Sequence, residues 1–228
     1  AMGVLVGIVS ARDMLKLRGS AAVSLDDAIE AASSAADLAA AWATLPAMAA
    51  ALIAEETDAR VVCEIASEEL CAATRRAAVL AELEMEREGH GQPPCAYSVL
   101  VLGSGGRGES LLAADQDNAI VFAEGDAGGD ADRWFACLGE KLVGTLDKSG
   151  IPLCKGGVMA KNPAFRGSVE LWRKRIAEWV ARSRPEDLLN VDILFDMRHA
   201  HGDPRLADAL FDFAYEQGSA NPGFSKLL

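Results

Sequence analysis

The sequence predicts a mixed α+β protein: a helical bundle region, then a small domain with a mixed sheet flanked by helices. Three observations predict it. Seventeen of the forty residues from Ala21 to Arg60 are alanine, the best helix former. Gly89-His90-Gly91-Gln92-Pro93-Pro94 then interrupts the chain with turn and linker residues. Beyond that linker, short apolar runs alternate with amphipathic helical patterns.

The first segment, residues 1–19, holds a β-branched run at Val4–Val9 and a helical pattern from Ser10 to Leu17. One strand and one helix cannot bury a core, so this segment reads as the end of an upstream module. Residues 20–92 read as a helical domain. Ser24 before Asp26 and Asp27 suggests an N-cap with acids in the first turn. Pro46 marks a break or a helix start. Val62, Ala66, Leu70, Ala73, Ala77 and Leu80 step by three or four along one helical stripe. Glu64, Glu68, Arg75 and Glu82 fall off that stripe and are expected to form a solvated face of a scaffold.

Residues 93–203 change character. Tyr97–Leu102 and Ala119–Phe122 read as buried strands. Glu124–Asp130 is a Gly- and Asp-rich loop. Asp132–Lys148 is a helix with Phe135, Leu138, Leu142 and Leu146 on one side. Ile151–Met159 is a strand or extended segment. Val169, Trp172, Ile176, Trp179 and Val180 mark another helix, with both tryptophans as core residues rather than a stacking platform. Val191–Met197 reads as a third strand. Residues 204–228 begin a C-terminal helical region, and the natural chain is expected to continue.

Composition limits the function. With 228 residues the chain forms one or two domains. Lys plus Arg number 22 and Asp plus Glu 34, so the net charge is −12. That balance argues against binding duplex nucleic acid through a basic surface. No run long and apolar enough to span a membrane is expected, and no secretory signal pattern opens the chain. Cys63, Cys71, Cys95, Cys137 and Cys154 form no CxxC pair. They read as buried thiols of a reducing, cytoplasmic compartment.

The chemistry concentrates in Gly103-Ser104-Gly105-Gly106-Arg107-Gly108-Glu109-Ser110, followed by Asp115-Gln116-Asp117. Glycines directly after a strand let the backbone turn and approach a ligand, and free N–H groups at a helix start favour phosphate. Gly103, Gly105 and Gly108 spell GxGxxG, but the six residues between Gly108 and Asp115 are too few for the crossing helix of a dinucleotide fold. No Gly-Lys-Ser/Thr follows, which excludes a P-loop. Asp115 and Asp117, two apart, share one face of an extended backbone. Adjacent carboxylates repel unless a cation lies between them, and hard oxygen donors suit Mg²⁺ bridging to phosphates. The pattern therefore predicts a metal–nucleotide site.

Gly103-Ser104, the spacer and Asp115-x-Asp117 resemble the signature of the DNA polymerase β-like nucleotidyltransferase superfamily. The longer string from Gly103 to Phe122 resembles nucleotidyltransferases that follow CBS or cyclic-nucleotide-binding modules in bacterial signal-transduction proteins. Those are similar to the protein-PII uridylyltransferase and the glutamine-synthetase adenylyltransferase. The resemblance covers roughly residues 21–202, including Cys154-Lys155-Gly156-Gly157 and Phe195-Asp196-Met197-Arg198. Gly7–Asp13 resembles the end of a CBS module, in which Ser10 and Asp13 would approach a nucleotide.

The resemblance implies transfer of an NMP group from an NTP to a hydroxyl of a protein or small molecule, dependent on Mg²⁺ or Mn²⁺. It implies a third carboxylate on the third strand, where Asp192 and Asp196 alternate onto one face. The Asp-x-Arg pattern at Asp196 and Arg198 favours Asp196, with Asp192 the alternative. Asp115, Asp117 and Asp196 would hold the metal ions. Ser104 and the N–H groups of Gly103, Gly105 and Gly106 would hold the terminal phosphates. Arg107 would contact phosphate or form an ion pair with Glu109. Lys155 would face the triphosphate or solvent, and His199 with His201 reads as structural or exposed rather than metal-binding. The acceptor would be a regulatory protein or a small molecule, with dimerisation through CBS modules of a longer chain. A catalytically silent nucleotide-binding module coupled to CBS domains is the alternative.

Overall fold

The computed structural model describes residues 20–182 and 191–221. The CBS-like segment, residues 1–19, lies outside the described residues, as does 222–228. Four helices come first: α1 (Ser20–Ala31), α2 (Ala35–Trp42), α3 (Leu45–Ala54) and α4 (Ala59–Arg87). Next come β1 (Tyr97–Val101), the short helix α5 (Gly103–Arg107), β2 (Asn118–Phe122) and α6 (Asp130–Lys148). A 3₁₀ turn at Pro163–Phe165, β3 (Arg166–Ser168), α7 (Val169–Arg182), β4 (Arg198–Gly202) and α8 (Pro204–Ala220) complete the described elements that have both ends defined.

The four strands form one mixed sheet in the order β3-β2-β1-β4. β1 runs antiparallel to β2 and β4, while β2 and β3 are parallel. Every residue of β1 and β2 is buried. Such strands read as nearly continuous apolar runs because helices cover both faces. Side chains alternate between two cores. Tyr97, Val99, Val101, Ile120 and Phe122 join α1 to α4 and α6 in one. Leu100, Ala119 and Val121 join α7, α8, Val191 and Leu194 in the other. Fully burying each such aliphatic or aromatic side chain contributes about 1.5–3 kcal/mol. Residues before and after the 89–94 linker thus share one core.

Several expectations are corrected. Helix α1 begins at Ser20, so Ser24 lies inside it and is no N-cap. Pro46 is a helix start: it occupies the first turn of α3, where its missing N–H costs nothing. Ala35–Ala54 is long and apolar enough to cross a membrane, which the sequence reading did not anticipate. Ala43 and Thr44 break it into α2 and α3, which bury Leu38, Trp42, Leu45, Met48 and Leu52 in the core. Ile151–Met159 is irregular, with a single bridge between Leu153 and Gln116. The largest correction concerns Val191–Met197. Residues 191–195 are helical, and Val191 and Leu194 are buried while Asp192 is exposed. That is a three-residue helical period, not strand alternation. The strand starts at Arg198.

Candidate nucleotide and metal site

Strand β1 ends at Val101, and the chain turns immediately into α5. Gly103 makes the turn possible, with φ +57°. Leu102 N–H donates to the Asp117 carbonyl at 2.9 Å, which fixes the turn beside the residue preceding β2. A Cβ on Gly103 would stand 2.9 Å from Asp117 Oδ2. The glycine turn and the second aspartate therefore meet directly. As the first residues of α5, Gly103, Ser104 and Gly105 have N–H groups without intrahelical acceptors. Ser104 is exposed. Gly108, at φ +77°, ends the helix in the left-handed conformation.

The other glycines serve a different purpose. Gly105 is buried, and a Cβ there would lie 2.7 Å from Val101 Cγ1 and 3.1 Å from Leu70 Cδ2. A Cβ on Gly106 would coincide with the Asp196 carbonyl oxygen, 1.4 Å away. Gly106 N–H donates to Leu102 O at 3.3 Å and is thus already engaged. Gly105 and Gly106 lack side chains at positions where protein packs against them.

The alternation around Asp115-Gln116-Asp117 separates acids from amide. Gln116 points into the core and donates to Val143 O at 3.2 Å and Ile151 O at 2.8 Å. Asp115 is exposed and Asp117 half-buried. Burial raises the Asp117 carboxyl pKa; a hydrogen bond with the Cys154 thiol opposes this, and the Asp115 charge adds to it. Burial and the same contact push the Cys154 thiol up. Among the described residues neither aspartate has an ion-pair partner. An unneutralised pair of hard oxygen donors, one partly desolvated, fits a divalent cation.

Asp196 and Asp192 occupy different places from those expected. Asp196 lies in the turn before β4 and forms an ion pair with Arg107 Nη1. Burial raises its pKa, Arg107 lowers it, and Asp192 and Glu109 raise it further. Asp115 and Asp117 are not among the groups acting on it. Among the described residues, no three His, Cys, Asp or Glu side chains gather to hold a metal. Arg107 also bonds Glu109 at 2.9 Å, so its ion pair with Glu109 is present together with a second acid. Lys155 is exposed. His199 Nδ1 meets Ser98 Oγ at 2.9 Å, and His201 Nε2 meets Glu82 Oε2 at 3.2 Å, which makes both structural.

Helix α4 packs behind the glycine turn, and Glu68 on it is ion-paired rather than simply solvated. Ser110 N–H donates to Ser67 Oγ at 2.9 Å, behind the glycine turn. Arg198 donates to Glu68 Oε1 at 2.5 Å and to Gly106 O at 3.3 Å. An open cleft of about 410 Å³ lies beyond the turn, lined by Arg60, Cys63, Glu64, Arg107, Glu109 and Arg198 among others; Asp115 and Asp117 do not line it. Sequence reasoning missed Gln116, although the alternation signals it. Nothing in the sequence signals Ser67 or Glu68, because their partners are 43 and 130 residues away.

A family model described as "Putative nucleotidyltransferase DUF294" matches residues 43–186, more than half of the chain. No curated protein matches the chain.

Proposed function

The chain belongs to this nucleotidyltransferase family, and from that premise we propose that it transfers an NMP group from an NTP to a hydroxyl, with Mg²⁺ or Mn²⁺ held by Asp115 and Asp117. One observation carries the reading: an unpaired carboxylate pair abuts the Gly103 turn, with Asp117 Oδ2 2.9 Å from where a Gly103 Cβ would be. Bound there, a divalent cation supplies charge neutralisation for the triphosphate and the leaving pyrophosphate. Gly103 keeps the backbone clear of side-chain bulk at that carboxylate. Ser104 Oγ and the first N–H groups of α5 offer hydrogen bonds to phosphate oxygens. Gln116, tied to Val143 O and Ile151 O, holds the two acids outward. Asp196 is the third acid in this reading, and the acceptor is a regulatory protein or small molecule of a signal-transduction system.

The test uses the full-length protein with Mg²⁺ and each NTP labelled at the α- or the γ-phosphate, in cell lysate. Label from the α-position alone should appear on an acceptor, and Asp115→Asn with Asp117→Asn should abolish it. Label from the γ-position would mean phosphoryl transfer and overturn the reading. Nucleotide binding without any labelled acceptor would favour the silent regulatory module.

A further inference from the structure

We propose that Arg107 is a positioning residue that holds Asp196 apart from the Asp115–Asp117 pair, and that the triphosphate of a nucleotide releases Asp196 by competing for Arg107. The inference rests on the nucleotidyltransferase reading above and adds the order in which the acids assemble.

Asp196 is fastened to the glycine turn at two levels. Its backbone carbonyl occupies the space a Gly106 side chain would need, 1.4 Å from the would-be Cβ. Its carboxylate is captured by the Arg107 guanidinium. The first contact fixes where Asp196 is, and the second fixes where its carboxylate points. The five-residue helix α5 thus contacts Asp117 at its first residue and Asp196 at its last two. At 1.5 Å rise per residue those ends are about 6 Å apart.

Exposure decides which partner a ligand meets. The Arg107 side chain is 42% exposed, whereas that of Asp196 is 14% exposed. An incoming anion therefore reaches the guanidinium before it reaches the acid. Arg107 already divides its donors between Asp196 and Glu109. A polyphosphate carries more charge than either carboxylate and suits the planar fork of arginine. A partly buried carboxylate that loses its cation is costly, so the freed Asp196 is driven toward another cation. The carboxylate pair, which lacks any protein counter-ion among the described residues, is where a divalent cation would be found.

The test measures Mn²⁺ binding by electron paramagnetic resonance on the full-length protein without nucleotide. The variants are Arg107→Gln, Arg107→Lys and Arg107→Gln with Asp196→Asn. Arg107→Gln should tighten Mn²⁺ binding by roughly fivefold or more, the low end of a typical coupling between sites. Arg107→Lys should restore the native value. The gain should vanish in the double variant, which separates release of Asp196 from mere loss of a positive charge. A gain that survives Asp196→Asn overturns the proposal, as does unchanged or weaker Mn²⁺ binding in Arg107→Gln. Asp115→Asn with Asp117→Asn serves as reference. If that pair is needed for Mn²⁺–NTP binding while Arg107→Gln has no effect, this inference fails alone. If the pair is not needed, the nucleotidyltransferase reading fails with it.

Discussion

Gly103 and Asp117 fit face to face: a single methyl on Gly103 would press to 2.9 Å from Asp117 Oδ2. Gly103 also has φ +57°, where a Cβ is strained against its own backbone. Two independent requirements therefore fall on one residue. Gly103→Ala should cost about 1–2 kcal/mol from the backbone alone. It should also weaken Mn²⁺–NTP binding, because the carboxylate must move. Urea unfolding and calorimetry report the two effects separately. Wild-type stability and affinity in Gly103→Ala would show that the turn and the acid are not in contact.

Gly105 gives the opposite expectation. Its Cβ would point at Val101 and Leu70 inside the core, not at solvent. Gly105→Val should therefore lower stability by about 1–3 kcal/mol through overpacking, with nucleotide affinity lost only as far as folding is lost. A stably folded Gly105→Val protein that binds no NTP would return this glycine to the phosphate site.

The contrast between these two glycines shows how far the sequence could be read. The strand, the glycine turn and the same-face acids are legible because strand alternation and the demand for φ above zero are local rules. They anticipate the turn at Gly103 and the outward alternation of Asp115 and Asp117 around buried Gln116. Gly105 and Gly106 look identical to Gly103 in sequence, yet their reasons lie in Leu70 and Asp196, which are distant in the chain. Val191–Met197 reads as a strand because Val191, Ile193, Leu194, Phe195 and Met197 make a nearly continuous apolar run broken only by Asp192 and Asp196. Burial at Val191 and Leu194 on a helix fits nearly the same letters. Strand β4, Arg198-His199-Ala200-His201-Gly202, carries no apolar alternation and owes its state to pairing with β1.

Asp132 and Arg166 test the sheet edge. Arg166 is 4% exposed and donates to Asp132 Oδ1 at 2.8 Å and to the carbonyls of Ala160 and Lys161. Asp132→Ala leaves a buried guanidinium without its counter-charge, which should cost about 3 kcal/mol. Denaturant unfolding measures it. A loss below about 1 kcal/mol would indicate that the carbonyls alone satisfy Arg166.

Glu82 ties α4 to the sheet, and its contacts there are expected to weaken in acid. Burial alone would raise its carboxyl pKa, but hydrogen bonds with His201 and Tyr97 outweigh burial and hold it below 4.5. The Tyr97 hydroxyl donates to Glu82 Oε1 at 2.6 Å. A carboxyl lowered on folding contributes stability above its unfolded value, and that stability disappears as pH falls through the folded value. Glu82→Gln should therefore destabilise the protein at neutral pH, and the gap to wild type should close below pH 4.5. Thermal melts across pH check this; a gap that stays constant into acid would exclude the carboxylate as its source.

In the proposed function, the unpaired acids beside the glycine turn hold a metal–nucleotide complex. Isothermal calorimetry with Mn²⁺ and a non-hydrolysable NTP, comparing wild type with Asp115→Asn/Asp117→Asn, tests it most directly. The double variant should keep its fold by circular dichroism, because Asp115 is exposed, Asp117 is half-buried, and neither packs in the core. Metal-dependent NTP binding is expected in the wild type and its loss in the double variant. Unchanged metal-dependent affinity in the folded double variant would contradict it.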